Sequence, residues 1–138
     1  MTVARDIMTP DPQCAGIGQT IGEAATLMRD LDVGALPICG DDGKLAGMIT
    51  DRDIVVKVVA VGRDPGSVKV SELADGEPVT VGADDDVREA LRVMQEYQVR
   101  RLPVIDGHEL VGIISQADVA LSLSAAETGE TVEEISEA

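Results

Sequence analysis

One pattern occurs twice in this chain, and the repetition constrains the fold more than any other feature of the sequence. Pro37 and Pro103 stand 66 residues apart (103 − 37 = 66). The same offset relates Ile21 and Val87, Glu23 and Glu89, Ala24 and Ala90, Met28 and Met94, Val33 and Val99, and Leu36 and Leu102. Asp53 then aligns with Asp118 at an offset of 65 (118 − 53 = 65). Such a period indicates two copies of one unit, each of which buries its apolar face best against the other.

Each copy contains a short strand, a helix, two strands and a second helix in the same order. Apolar spacing and turn residues locate these elements. The predicted helices span residues 19–31, 51–61, 87–97 and 116–123, and the predicted hairpin strands span 33–39, 45–49, 99–105 and 109–114. The expected fold class is α/β (α+β), with the two repeats packed through their sheets in pseudo-twofold symmetry and a cleft between them.

The repeat also predicts the domain boundaries. Residues 1–66 are expected to form the first repeat with an N-terminal lead-in, and residues 67–123 the second repeat. The remaining residues, 124–138, contain five glutamates and no Lys or Arg. We expect a mobile acidic tail there, because such an end gains more from hydration than from packing.

Composition disfavours several classes of partner. The formal net charge of −15 opposes nucleic acids and anionic membrane surfaces, both of which present phosphates. The chain has no Phe or Trp and a single Tyr, so it lacks the stacking platforms of single-strand binders. It shows neither the apolar core of a secretory signal nor a run of about 18 apolar residues. We therefore expect a soluble, cytoplasmic protein with no membrane or nucleic-acid partner.

A strand-to-helix corner occurs once in each copy and carries the candidate site. Thr50 and Ser115 each follow a glycine and two apolar residues, and Asp53 and Asp118 come three residues later. A hydroxyl followed by an acid at this spacing is a helix-capping pattern. Capping alone requires neither the preceding glycine nor the repetition. The two corners can therefore be read either as caps or as two halves of a ligand site.

Catalytic and metal chemistry find little support in the sequence. His108, the only histidine, lies in a predicted turn and accompanies no nucleophile. A four-ligand zinc set cannot be assembled locally around one histidine and two cysteines. We predict a protein that is not an enzyme and has no metal site. In a reducing cytoplasm, Cys14 and Cys39 are expected to be free thiols.

These motifs resemble a tandem pair of CBS domains, also called a Bateman module. The resemblance covers nearly all of residues 1–123. Its motifs are Leu36-Pro37-Ile38 and Gly47-Met48-Ile49-Thr50-Asp51-Arg52-Asp53 in the first copy, and Leu102-Pro103-Val104 and Gly112-Ile113-Ile114-Ser115-Gln116-Ala117-Asp118 in the second. Within this family, residues 4–8, 35–42 and 50–55 look most like the stand-alone mycobacterial hypoxic response proteins.

The resemblance implies a β-α-β-β-α unit used twice, with nucleotide sites in the clefts between paired sheets. It implies a stand-alone regulatory module that requires no cofactor, senses AMP, ADP, ATP or S-adenosylmethionine, forms a homodimer and signals to an unidentified effector protein. Two alternatives remain open at this point. One is a structural or interaction protein with vestigial clefts, and the other is a redox-responsive module.

The resemblance also implies roles for individual residues. Asp53 and Asp118 would accept the ribose hydroxyls, since charge-assisted hydrogen bonds to a carboxylate are short and strong. Thr50 and Ser115 would face the phosphate at a helix N-terminus. The remaining assignments are phosphate contacts for Arg100 and Arg101, and adenine contacts for Ala15 or Val81. The family fold also brings Cys14 and Cys39 near each other, which raises the alternative of a disulfide.

The two copies differ where the phosphate would bind. The first has Gly34-Ala35 where the second has Arg100-Arg101, so at most one strong site is expected, in the second copy. The acids Asp51 and Asp84-Asp85-Asp86 would oppose a triphosphate if they lay near the cleft. AMP or a neutral adenosine compound is therefore expected over ATP.

Overall fold

The computed structural model describes residues 1–74 and 78–126, which form two compact units. Met1–Asp11 and Val79–Ala138 make the second-repeat unit, and Pro12–Pro78 makes the first-repeat unit. The elements are α1 (Ala4–Ile7), β1 (Thr9–Pro10), β2 (Ala15–Gly16), α2 (Ile21–Leu31), β3 (Ala35–Cys39), β4 (Leu45–Thr50), α3 (Asp51–Ile54), a π-helical turn (Val55–Val59), a 3-10 turn (Val70–Glu72), β5 (Val81–Gly82), α4 (Val87–Tyr97), β6 (Arg101–Asp106), β7 (Glu109–Ser115) and α5 (Gln116–Ala126). Within the described ranges, no helix is long and apolar enough to span a bilayer.

The first-repeat unit is built on a three-stranded sheet in the order β2-β3-β4. Strand β2 runs parallel to β3, and β3 pairs with β4 as an antiparallel hairpin. Thr20 caps the N-terminus of helix α2: its Oγ1 accepts the Glu23 N–H at 3.1 Å, while Glu23 Oε1 accepts the Thr20 N–H at 3.1 Å. This capping box fixes where the helix begins, and the apolar face of α2 packs on the core. That core contains Ala15, Ile21, Ala24, Met28, Leu36, Ile38, Ile49, Ile54, Val58, Val68, Val70 and Leu73.

The second-repeat unit repeats this plan with one additional strand. Its sheet has the order β1-β7-β6-β5, with β5 parallel to β6 and β1 antiparallel to β7. Helix α4 starts at Asp86, whose Oδ1 accepts the Arg88 N–H at 2.8 Å, and ends at Gln98 in the left-handed conformation (φ 55°). Its core contains Ala4, Val81, Ala83, Val87, Ala90, Val93, Met94, Leu102, Val104, Ile114, Val119 and Leu123.

Two short lead-ins, residues 3–8 before the first repeat and residues 68–73 before the second, each pack in the unit of the other repeat. The Ala4 N–H donates to the Asp85 oxygen at 2.9 Å, whereas the Val70 N–H donates to the Gln19 oxygen at 2.8 Å. The compact units therefore do not coincide with the sequence repeats, whose predicted boundary at residue 66 stays a prediction. Buried Ala4 and Val70 show that the lead-ins carry core residues, but an apolar side chain in a short segment does not indicate which sheet it will meet.

Most predicted elements are present, and the mixed α/β fold class, with one sheet in each unit, is confirmed. The helix predicted at residues 51–61 contains α3 and then a π-helical turn, in which the Ala60 N–H donates to the Val55 oxygen at 2.8 Å. This turn coincides with a run of β-branched valines, which crowd the preceding turn of an α-helix. Helix α5 extends to Ala126, three residues beyond the prediction. The rest of the predicted tail (127–138) lies outside the described residues.

Gly112 allows the N-terminal lead-in to approach strand β7 closely. A Cβ at this position would lie 2.7 Å from Met8 Cγ and 2.9 Å from the Thr9 backbone oxygen. At the aligned Gly47, a Cβ would lie no closer than 3.5 Å to Ala74 Cβ. The glycine that precedes the second corner therefore has a packing role, and it is not an independent argument for a ligand.

We expect Gly112→Ala to lower the free energy of unfolding by about 1–3 kcal/mol, because the backbone of β1 must shift to accommodate the methyl group. The matched variant Gly47→Ala should change it by less than about 0.5 kcal/mol. Urea unfolding of both variants measures the difference. Equal effects at the two positions would show that the close approach of the lead-in does not constrain residue 112.

Candidate functional site

Both predicted corners are capping boxes in the structure. At the second corner, which joins β7 to α5, Ser115 Oγ accepts the Asp118 N–H at 3.1 Å and Asp118 Oδ2 accepts the Ser115 N–H at 3.0 Å. At the first corner, which joins β4 to α3, the same two bonds between Thr50 and Asp53 are 3.0 Å long. Each box uses one carboxylate oxygen and one hydroxyl lone pair. It leaves a second carboxylate oxygen and a hydroxyl proton for other partners.

The strand pairing places the backbones of Arg100 and Arg101 beside the second corner. Arg101 lies directly opposite Ser115 in the β6–β7 ladder, and the Gln116 N–H donates to the Arg100 oxygen at 2.8 Å. Both arginines are exposed, and within the described parts of the chain neither forms an ion pair. The second corner therefore combines a hydroxyl, a carboxylate and two arginines on adjacent elements.

The first corner has the same backbone and a different distribution of charge. Ala35 lies opposite Thr50, and the Asp51 N–H donates to the Gly34 oxygen at 2.9 Å. Lys57 Nζ lies 3.5 Å from Asp53 Oδ1. This ion pair was not predicted from the sequence, although the spacing of four residues between Asp53 and Lys57 is typical of a helical ion pair.

Ala15 and Val81 do not join the corner residues in a shared surface. Their exposed fractions are 0% and 3%, and each belongs to the apolar core of its own unit. Ala15 pairs with Ile38 on the neighbouring parallel strand, and Val81 with Val104. These side chains contact the core of their own units, and a contact between adenine and Ala15 or Val81 stays a prediction.

Of the two predicted states of the cysteines, the structure contains the disulfide. Cys14 and Cys39 are bonded, with their Cα atoms 5.6 Å apart. The bond joins the residue before β2 to the last residue of β3. The aligned positions of the second repeat hold Thr80 and Ile105, so this link is specific to the first-repeat unit.

Comparison with known proteins identifies the class. The CBS domain family matches residues 4–60 and 70–125, one match for each repeat. The chain belongs to this family and contains a pair of CBS domains. Hypoxic response protein 1 of Mycobacterium tuberculosis is 52% identical over 123 residues, which cover 89% of this chain and 86% of that protein. The predicted resemblance to both groups is therefore confirmed.

Two solved structures extend the comparison. The crystal structure of Hypoxic Response Protein I with two coordinated zinc ions matches with a TM-score of 0.81 at 51% identity, over 87% of this chain and 98% of that one. The CBS domain pair of protein MJ0100, in complex with 5′-methylthioadenosine and S-adenosyl-L-methionine, matches with a TM-score of 0.80 at 28% identity, over 91% and 98%.

The described residues do not fit a zinc site of the usual kind. Across residues 1–74 and 78–126, no three His, Cys, Asp or Glu side chains come together in a way that could hold a metal ion. His108 lies exposed in the turn between β6 and β7, and both cysteines are bonded to each other. These residues therefore support no role for zinc in this chain.

Proposed function

We propose that this CBS-pair protein is a non-catalytic regulatory module that binds an adenosine nucleotide, AMP in preference to ATP, at the second corner. The observation that carries the proposal is the position of Arg100 and Arg101, whose backbones adjoin Ser115 and Gln116 and whose side chains form no ion pair within the described residues. Arginine binds phosphate oxygens with a planar pair of donors, so two arginines suit a doubly charged phosphate group.

Each group at the second corner has a distinct role in this proposal. The free carboxylate oxygen of Asp118 accepts a ribose hydroxyl, and the Ser115 hydroxyl donates to a phosphate oxygen. The Ala117 N–H lies in the first turn of α5, where backbone donors lack acceptors within the helix, and it faces the same charge. The capping box holds Ser115 and Asp118 in fixed positions before any ligand arrives.

The adenosine group and the single phosphate are supported by different observations. The related CBS pair of MJ0100 binds two adenosine compounds, which carry no phosphate and therefore support the adenosine group alone. The formal net charge of −15 opposes each additional phosphate, and two arginines do not balance a triphosphate. The acids Asp84 and Asp85, which were expected to oppose a triphosphate, are engaged in other contacts. Asp84 pairs with Arg5 at 3.5 Å, and Asp85 accepts the Gly82 N–H at 2.9 Å.

We expect Asp118→Ala to weaken AMP binding by about 10- to 100-fold, because it removes a charge-assisted hydrogen bond to the ribose. Asp53→Ala is the matched control, because it removes an equivalent capping carboxylate from the first corner. Its effect on AMP affinity should stay within about twofold. Calorimetric titration of the three proteins measures this difference.

Two results of that titration would contradict the proposal. One is the reverse order of effects, with Asp53→Ala the more damaging change. The other is the absence of heat with AMP, ADP, ATP, S-adenosylmethionine and NAD at millimolar concentration. That result would favour an interaction protein with vestigial sites.

We also propose that the module acts as a homodimer that signals to an effector protein. Val55, Val56 and Val59 on the π-helical turn are 56%, 46% and 59% exposed, and apolar side chains at this density mark interaction surfaces. Sedimentation equilibrium should give twice the chain mass of 14.4 kDa at micromolar concentration. A mass of one chain under those conditions would contradict the dimer.

A redox-responsive module is the second candidate, and the Cys14–Cys39 disulfide favours it. The bond adjoins the turn after β3 and is confined to one repeat. Reduction would then alter the first-repeat unit while leaving the second corner intact. An AMP affinity that is the same with and without reductant would show that the redox response is independent of nucleotide binding.

A further inference from the structure

We infer that Asp51 and Lys57 are specificity-determining residues that confine the nucleotide to the second corner: Asp51 opposes a phosphate at the first corner, and Lys57 occupies the carboxylate that would accept a ribose there. The inference rests on the proposed function. It goes beyond the missing arginines, because it holds that adding an arginine to the first corner would not by itself create an anion site.

The Asp51 carboxylate is fixed above Gly34. Its Oδ1 accepts the Arg52 N–H at 2.7 Å, and its Oδ2 lies 3.1 Å from the position that a Cβ on residue 34 would occupy. A larger side chain at residue 34 therefore requires this carboxylate to move. An arginine placed there would meet Asp51 first and pair with it, which would remove the positive charge that a phosphate needs.

Lys57 acts on the other side of the same corner. Its Nζ lies 3.5 Å from Asp53 Oδ1, the carboxylate oxygen that the capping box leaves free. At the second corner, the residue aligned with Lys57 is Ser122, and within the described residues Asp118 forms no ion pair. A ribose at the first corner would have to displace Lys57, whereas a ribose at the second corner would not.

The aligned residues of the second repeat define how the first corner can be converted. Arg100 aligns with Gly34, Gln116 with Asp51, and Ser122 with Lys57. The double variant Gly34→Arg/Asp51→Gln copies the two differences that act on phosphate, and the triple variant with Lys57→Ser also frees Asp53 for a ribose. The single variant Asp51→Gln adds no bulk and keeps Lys57, so it still reports on the inference if the arginine prevents folding.

The test is an NMR titration with inorganic phosphate, which needs no nucleotide binding. In the wild-type protein and in Gly34→Arg, we expect saturable amide shifts at Ser115–Asp118 and none at Thr50–Asp53. In the double variant, we expect shifts at Thr50–Asp53 that saturate within about tenfold of the concentration needed at the second corner. Asp51→Gln alone should show the same shifts at higher concentration, and the triple variant should bind phosphate no more tightly than the double variant.

Three results would overturn the inference: a phosphate response at Thr50–Asp53 in the wild-type protein, the same response in Gly34→Arg alone, or its absence in both Gly34→Arg/Asp51→Gln and Asp51→Gln. A parallel calorimetric titration of the wild-type protein with AMP reports on the proposed function separately. If the variants bind phosphate at the first corner and the wild-type protein does not bind AMP, the inference is upheld and AMP is rejected as the ligand.

Discussion

Reduction of the Cys14–Cys39 disulfide is expected to lower the free energy of unfolding by about 3.5 kcal/mol. The bond closes a loop with a sequence separation of 25 residues, and the chain-entropy relation for such a loop gives this value. The stabilisation arises because the cross-link restricts the unfolded chain. A loss of this size should lower the melting temperature by about 10 °C or more in a protein of this length.

Thermal unfolding with and without dithiothreitol measures the effect. The control is the double variant Cys14→Ser/Cys39→Ser, which should melt at the temperature of the reduced protein and should not respond to reductant. Thiol titration of the protein purified in air should find no free cysteine. Two reactive thiols in that preparation, or a melting temperature that reductant leaves unchanged, would contradict the disulfide.

Deletion of Met1–Asp11 should destabilise the second-repeat unit by about 3 kcal/mol or more, although these residues precede the first repeat. The deletion removes buried Ala4 from the core and strand β1 from the edge of the four-stranded sheet. It also leaves the Val111 and Ala83 oxygens without the hydrogen bonds from Asp11 and Arg5. Lost burial and unpaired backbone groups both contribute to the expected loss.

Amide hydrogen exchange locates the damage. Protection should fall in β7 and at the start of α4, while β3 and β4 keep theirs. The control is Arg5→Ala. Hydrogen bonding to Asp106, with a contribution from Asp84, raises the pKa of Arg5, but all three side chains are exposed. Because exposed ion pairs contribute little to stability, that substitution should leave protection in both sheets close to that of the wild-type protein. An equal loss of protection in both sheets would contradict the exchange of the lead-ins.

The elements with strong local signals could be predicted from the sequence. Helix α4 spans Val87–Tyr97 as expected, because an acid at its start and a sustained apolar spacing agree. The positions of Arg100 and Arg101 beside the second corner also follow from the hairpin register, which the alternation of the two strands fixes. Local pattern and tertiary position coincide at these sites.

Other features depend on contacts that no local pattern contains. The exchange of the lead-ins is one, because Met8 and Gly112 meet only in the folded unit. The burial of Ala15 and Val81 is another: the strands that hold them are two residues long, too short for an alternating pattern to assign a face. The Lys57–Asp53 ion pair was predictable from its spacing of four residues. It was not predicted because the capping pattern at Asp53 was interpreted as part of a ligand site.

We propose that the two strand-to-helix corners, which have the same backbone geometry, differ in function because the charges of their side chains differ. The hydrogen bonds at Thr50–Asp53 and at Ser115–Asp118 agree within 0.1 Å, from 3.0 to 3.1 Å. Capping therefore explains what the two corners share. The pair Arg100-Arg101 on one side, and Asp51 with Lys57 on the other, explain how the corners differ.

An NMR titration of the wild-type protein with AMP, followed through its backbone amides, tests this claim most directly. We predict saturable changes in the amide chemical shifts of Arg100, Arg101 and Ser115–Asp118, with one AMP bound per chain. The amide chemical shifts of Thr50–Asp53 should not change. Shifts of equal size at both corners, or none at either corner at millimolar AMP, would contradict it.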